Sequence, residues 1–230
     1  GVGWYAKSFN LGDLSTKTVT INGETYTAWD VSNVTNMAAM FGVCGYSAEV
    51  WDVGDLNTWD VSNVTNMSYL FHGISGTNST KTSIDLSNWD TSKVTDMSLM
   101  FSYNDRLESV NIGNLNTVNV VNMEGVFEEC KNLTIVVLDN WNTSKVINMS
   151  RMFFNASSLT NIYVGDGWST EKVTSSADMF SGASNLPNFT SSVLDHYHLA
   201  LVLLRWQYIL PNVVFPVLQS FQQTELNHHL

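Results

Sequence analysis

Basic residues are scarce. Ten Lys and Arg stand against 21 Asp and Glu, giving a formal net charge of −11 and a sequence pI near 4.6. A nucleic-acid interface needs a basic stripe, and attraction to anionic lipid needs one too, so neither partner is expected. The acidity reads instead as a solvated surface that keeps the chain in solution. Cysteine is limited to Cys44 and Cys130. Proline numbers three, two of them at 211 and 216. Unbroken apolar runs are also missing. Leu199–Leu218 comes closest, but Arg205, Pro211, Asn212 and Pro216 interrupt it, and a membrane span wants about 20 consecutive apolar residues. Membrane contact is therefore not expected.

Repetition is what the chain has in abundance. The nonapeptide Trp-Asp-Val-Ser-Asn-Val-Thr-Asn-Met starts at Trp29 and again at Trp59, and four looser copies follow. A leader residue stands at Trp29, Trp59, Trp89, Leu115, Trp141 and Trp168. Five positions later every copy has Val: Val34, Val64, Val94, Val120, Val146 and Val173. Twelve positions after the leader every copy has Phe: Phe41, Phe71, Phe101, Phe127, Phe153 and Phe180. All nine Met fall eight or eleven positions after the leader. Copies recur every 30, 30, 26, 26 and 27 residues, a period that signals a solenoid.

The apolar spacing predicts the form of one copy. Val94, Met97, Met100 and Phe101 are separated by three, three and one, which places them on one stripe of a short helical turn. Ser92 and its equivalents Ser32, Ser62 and Ser144 precede that turn as N-cap candidates. After the Phe comes Leu-x-x-Val-x-Ile, as in Leu107, Val110 and Ile112, which reads as a very short half-buried strand. One copy buries too few large side chains to offset the entropy of fixing its backbone, so neighbouring copies must stack. The expected fold class is an α/β repeat solenoid: a leucine-rich-repeat-like stack of about six rungs with short parallel strands and short helical turns.

Three segments follow. Residues 1–28 carry an Asn22-Gly23 hairpin signal within Thr18–Thr27 and are expected to cap the stack. Residues 29–193 hold the six copies. Residues 194–230 differ in composition, with all four Gln and four of the five His. Two readings of this tail stand: a capping helix near Leu194–Leu210, or a sequence out of frame. No signal peptide is visible and the chain starts at Gly1, which fits a mature or truncated product.

Trp89–Phe101, read as Trp-Asp-Thr-Ser-Lys-Val-Thr-Asp-Met-Ser-Leu-Met-Phe after a Leu-x-x-Val-x-Leu element, resembles the repeat of BspA-like leucine-rich-repeat surface proteins. The resemblance spans about residues 29 to 190. It implies a secreted or wall-attached solenoid, adhesion to host or matrix, and no catalytic residues. Copy four departs from the pattern at Leu115 and Val118, and copy six at Ser176, so looser rungs are expected there.

Other chemistry is thinly supported. Asp30, Asp60, Asp90, Asn116 and Asn142 share one column. They read as turn-capping groups in preference to a Ca²⁺ ladder, since no glycine-rich calcium repeat accompanies them. Neither His196 and His198 nor His228 and His229 have a further ligand at zinc spacing, so no metal and no cofactor is expected. A glycosidase pair needs two unlike carboxylate environments, which a repeating column does not supply. Cys44 and Cys130 fall in the same column of copies one and four. Three rungs at ~4.8 Å would separate them by about 14 Å, beyond the ~7 Å a disulfide spans. Both are expected to be buried free thiols.

The outward strand positions form the candidate binding strip: Ser83, Asp85, Ser109, Asn111, Ile135, Val137, Asn161 and Tyr163. An uneven strip on a regular scaffold is where a solenoid places recognition, although it also reads as plain surface. The expected function is non-enzymatic adhesion to, or binding of, a protein or glycan at the cell surface. The alternative is a structural spacer or stalk.

Overall fold

The computed structural model describes residues 16–21, 23–44, 55–75 and 82–186. The tail at 194–230, with its two readings, lies outside these residues. At the N-terminal side, β1 (Thr16–Ile21) and β2 (Glu24–Trp29) form an antiparallel hairpin. Ile21 pairs with Glu24, and Gly23 in the connection has φ of 85°, where a side chain would be strained.

The six copies are joined in sequence order. Parallel bridges link Asn36 to Asn66, Asn66 to Asp96, Asp96 to Asn122, Asn122 to Asn148 and Asn148 to Ser175. The backbone around each bridge alternates between two kinds of hydrogen bond. The N–H groups of Met97, Leu99, Phe101 and Tyr103 donate to the next copy, at Asn122 O (3.1 Å), Glu124 O (2.7 Å), Val126 O (3.0 Å) and Glu128 O (2.7 Å). Between them, Met100 and Ser102 donate back within the copy to Met97 O and Leu99 O, each at 3.2 Å.

This alternation corrects the expectation of helical turns. Among the described residues there is no α-helix, only a 3-10 turn at Leu56–Thr58. A helix sends each N–H to the carbonyl four residues back, whereas here alternate N–H groups leave the copy altogether. What bends the chain is a pair of left-handed columns. Ten positions after the leader stand Ala39, Tyr69, Leu99, Gly125, Arg151 and Asp178, and fourteen after it stand Val43, Gly73, Tyr103, Glu129, Asn155 and Gly182. All twelve have φ between 54° and 79°. Spacing of three, three and one thus arises from consecutive tight turns, which bring the same side chains inward as a helix does.

The inward columns form the core. The six Phe rings stack in one file with centroids 5.5–5.8 Å apart and planes within 15°, an offset-stacked geometry. Val64, Val94, Val120 and Val146 are fully buried, while Val34 and Val173 at the two ends are half-buried. Leu115 is buried in place of the Trp leader and Ser176 in place of Met, so both departures sit inside the file. Cys44 and Cys130 are buried thiols that form no disulfide with each other. The Cys130 thiol lies 3.0 Å from Phe101 O, and burial pushes its pKa up to about 12. Asn104 fills the same column in copy three. Its amide donates to Phe71 O (2.9 Å) and Phe101 O (2.7 Å) and accepts from Ser75 N–H (2.8 Å), which satisfies a buried polar group.

The strands are short and pair in twos. β3 (Ser83–Asp85) runs parallel to β4 (Ser109–Asn111), and β5 (Ile135–Leu138) parallel to β6 (Asn161–Val164). β4 lies beside β5 in a separate sheet. Three- and four-residue strands offer few pairing groups, so the turn side carries the unbroken ladder.

Candidate functional site

Two outward faces flank the core, and only one of them was anticipated. The strand face presents the expected strip. Ser83, Asp85, Ser109, Asn111, Ile135, Val137 and Tyr163 are exposed, and Asn161 is half-buried. The pairing sets them side by side: Ser83 with Ser109, Asp85 with Asn111, Ile135 with Asn161 and Val137 with Tyr163. The β3–β4 half is polar. Partial burial raises the Asp85 carboxyl, but hydrogen bonds from Ser87, Asn57 and Asn111 outweigh this and hold it below its usual value. The β5–β6 half is apolar, with Ile135 46%, Val137 40% and Tyr163 38% exposed.

The capping columns explain why the turn backbone holds its shape. The side-chain oxygens of Asp30, Asp60 and Asp90 accept the N–H groups of Ser32, Ser62 and Ser92 at 3.0–3.1 Å. Asn116 and Asn142 do the same for Val118 and Ser144. The Ser expected to act as N-cap acceptors are instead capped. Ser32, Ser62 and Ser144 also donate their hydroxyls to Asp30, Asp60 and Asn142. An Asx turn needs no helix to close, which is why the roles exchange. A second column escaped the sequence reading. Asn36, Asn66, Asp96, Asn122 and Asn148 each accept from the N–H two residues on, at 2.8–3.1 Å. Its recurrence seven positions after the leader was the available signal. Among the described residues, no group of three His, Cys, Asp or Glu is arranged to hold a metal ion.

The turn face carries side chains that do not repeat. Tyr69 and Tyr103 are each 41% exposed. The His72 ring lies between them, 5.5 Å from Tyr69 and 5.3 Å from Tyr103, with Nδ1 2.6 Å from Ser102 Oγ. Burial pushes the His72 pKa down, although the charge of Glu128 pulls it up. Burial also raises the Tyr103 phenol, assisted by the charge of Glu128 and by the hydrogen bond to it. Glu128 is buried and gripped by Arg151 through Nε (3.0 Å) and Nη2 (2.6 Å). The Arg151 guanidinium in turn lies 3.9 Å from the centre of the Phe154 ring. Glu129 accepts from Asn155 (2.6 Å) and faces Lys131 (3.1 Å), which also reaches Asp105 (2.9 Å).

Gly125 makes room for this arrangement, since a Cβ there would come within 2.7 Å of Leu99 and 2.9 Å of Glu128. The sequence reading missed this face because its columns vary from copy to copy. Departure from repetition at fixed positions was the signal.

These features define a tandem-repeat protein whose copies pair in parallel and whose outward faces are irregular. Two overlapping stretches, residues 10–86 and 75–193, match the family described as Mycoplasma protein of unknown function, DUF285, and the chain belongs to that family. No similar curated protein and no similar solved structure was found.

Proposed function

We propose that this chain is a non-enzymatic, secreted or cell-surface solenoid of leucine-rich-repeat-like form that recognises a surface partner through its strand face. The resemblance of its repeat to BspA-like surface proteins supports the location and the adhesive role. The single observation that carries the reading is the apolar half of the strip. Ile135, Val137 and Tyr163 are exposed together on one paired sheet, beside the polar Ser109 and Asn111. Contiguous exposed apolar surface with a polar rim marks an interaction site. A protein partner fits it better than a glycan, because Ile and Val offer no hydrogen bonds.

A spacer is the second reading, and one experiment separates the two. Ile135→Ser and Tyr163→Asn copy the residues that Ser109 and Asn111 place in the same two columns, so the double variant keeps a residue set the fold already accepts. Labelled chain is applied to immobilised extracellular-matrix proteins and to animal cells. The adhesive reading expects capture on at least one surface and its loss by about tenfold or more in the double variant, since anchor residues dominate an interface. No capture, or equal capture of both chains, favours the spacer.

A further inference from the structure

The turn face has no part in the strand-face reading. Its columns at ten, thirteen and fourteen positions after the leader place Tyr69, His72, Tyr103, Glu128 and Asn155 in a patch across copies two to five. The charges in this patch are matched within the protein. Arg151 holds Glu128 through two hydrogen bonds, and Lys131 lies against both Asp105 and Glu129. What remains for a ligand is a pair of exposed phenol rings, an imidazole edge and the half-buried Asn155 amide. A partner recognised by net charge gains little here. A quaternary-ammonium cage needs an open centre between its rings, and His72 occupies the space between these two phenols. The exposed aliphatic groups of the kind that anchor a protein, Ile135, Val137, Val121 and Ile147, belong to other columns than this patch.

We infer that this turn face binds a neutral oligosaccharide, with Tyr69 and Tyr103 as stacking rings. The C–H face of a pyranose is apolar and faintly electropositive, which suits the negative face of an aromatic ring. Its hydroxyl edges suit a few fixed polar groups beside an apolar wall, here the half-buried His72 and Asn155. The stacking residues sit on left-handed turns whose shape the flanking cross-copy hydrogen bonds fix. The rings are thus positioned before a ligand arrives, which limits the entropy lost on binding.

The test is titration calorimetry on the full chain with hexasaccharides of β-1,4-glucose, α-1,4-glucose, β-1,3-glucose and β-1,4-N-acetylglucosamine, with a heparin-derived hexasaccharide alongside. At least one neutral hexasaccharide binds, and the heparin fragment does not. Tyr69→Ala reproduces the residue that Ala39 supplies at the same left-handed position, so the fold accommodates it. It weakens binding by about tenfold, the loss expected of one stacked ring, while Tyr69→Phe keeps most of the affinity. The Ile135→Ser/Tyr163→Asn variant binds the saccharide as the parent chain does. Failure of every neutral hexasaccharide to bind overturns the inference, as does affinity unchanged in Tyr69→Ala or binding of the heparin fragment alone. Saccharide binding lost in the strand-face variant places the ligand there and also overturns it, whereas loss of protein capture alone concerns only the strand-face reading.

Discussion

Ala39 sits at φ 54° on an exposed turn, where the usual ranking of alanine and glycine reverses. In a helix interior, glycine is less favourable than alanine by about 1 kcal/mol. A left-handed L-residue carries a penalty of ~1–2 kcal/mol that glycine escapes, partly offset by glycine's looser unfolded chain. Ala39→Gly is therefore expected to stabilise the protein by ~0.5–1 kcal/mol, measured by urea unfolding; destabilisation of that size would argue for a helical turn. Among the described residues, nine other than glycine share this conformation, Val43 among them. Such backbone persists only where its surroundings fix it, and the cross-copy hydrogen bonds supply that. Cys130 offers a second check at this scale. Its thiol is fully buried and its pKa pushed up to about 12, so at neutral pH almost no thiolate is available to react. Both thiols are expected to resist a thiol reagent in the folded chain and to react completely in denaturant; labelling of native Cys130 within minutes would contradict the burial.

The element that matters is one copy with its neighbours. Met97 and Phe101 are wholly buried between copies two and four, so Met97→Ala should cost about 2–5 kcal/mol. Met179 lies in the last copy described, where the neighbouring Phe180 is less completely buried, and the same change there should cost less. Equal melting shifts at the two sites would argue against stacking as the source of stability. Much of this element was legible in the sequence, because the Val, Met and Phe columns are set by burial and burial repeats with the copy. The secondary structure was not. A three-three-one spacing marks which side chains share a side, and consecutive turns satisfy it as well as a helix does. Nor does spacing reveal the left-handed positions, since residues as unlike as Leu99, Glu129 and Asp178 occupy them. Asp90 was legible as a turn group. The exchange of roles with Ser92 followed once the helix was absent, and the Ser92 N–H now holds the Asp90 carboxyl below its usual pKa. The turn face was hidden for the opposite reason to the core: Tyr69, His72, Tyr103 and Arg151 belong to columns that vary from copy to copy, and each of these residues occurs once in its column.

At the scale of the molecule, the copies are held by backbone as much as by side chains. The column of Thr35, Thr65, Thr95, Val121, Ile147 and Thr174 forms a ladder in which each N–H after the first reaches the preceding copy's carbonyl at 2.8–2.9 Å. The hydroxyls of Thr65 and Thr95 turn to the same carbonyls, at 3.1 and 3.2 Å. Cross-copy side-chain bonds run alongside, from Asn63 to Ser32 O, Lys93 to Asn63, Asn119 to Ser92 O and Lys145 to Asn119. A chain built this way derives its stability from interfaces between neighbours. Its regular columns make the scaffold, and its irregular ones form the outward faces on which recognition is proposed. Everything in that account depends on which carbonyl each turn amide reaches, and scalar couplings across hydrogen bonds report this directly in a labelled sample. The couplings are expected to connect the Met97 amide to the Asn122 carbonyl, Leu99 to Glu124 and Phe101 to Val126. Couplings from Phe101 to the Met97 carbonyl, four residues back in the same copy, would contradict it.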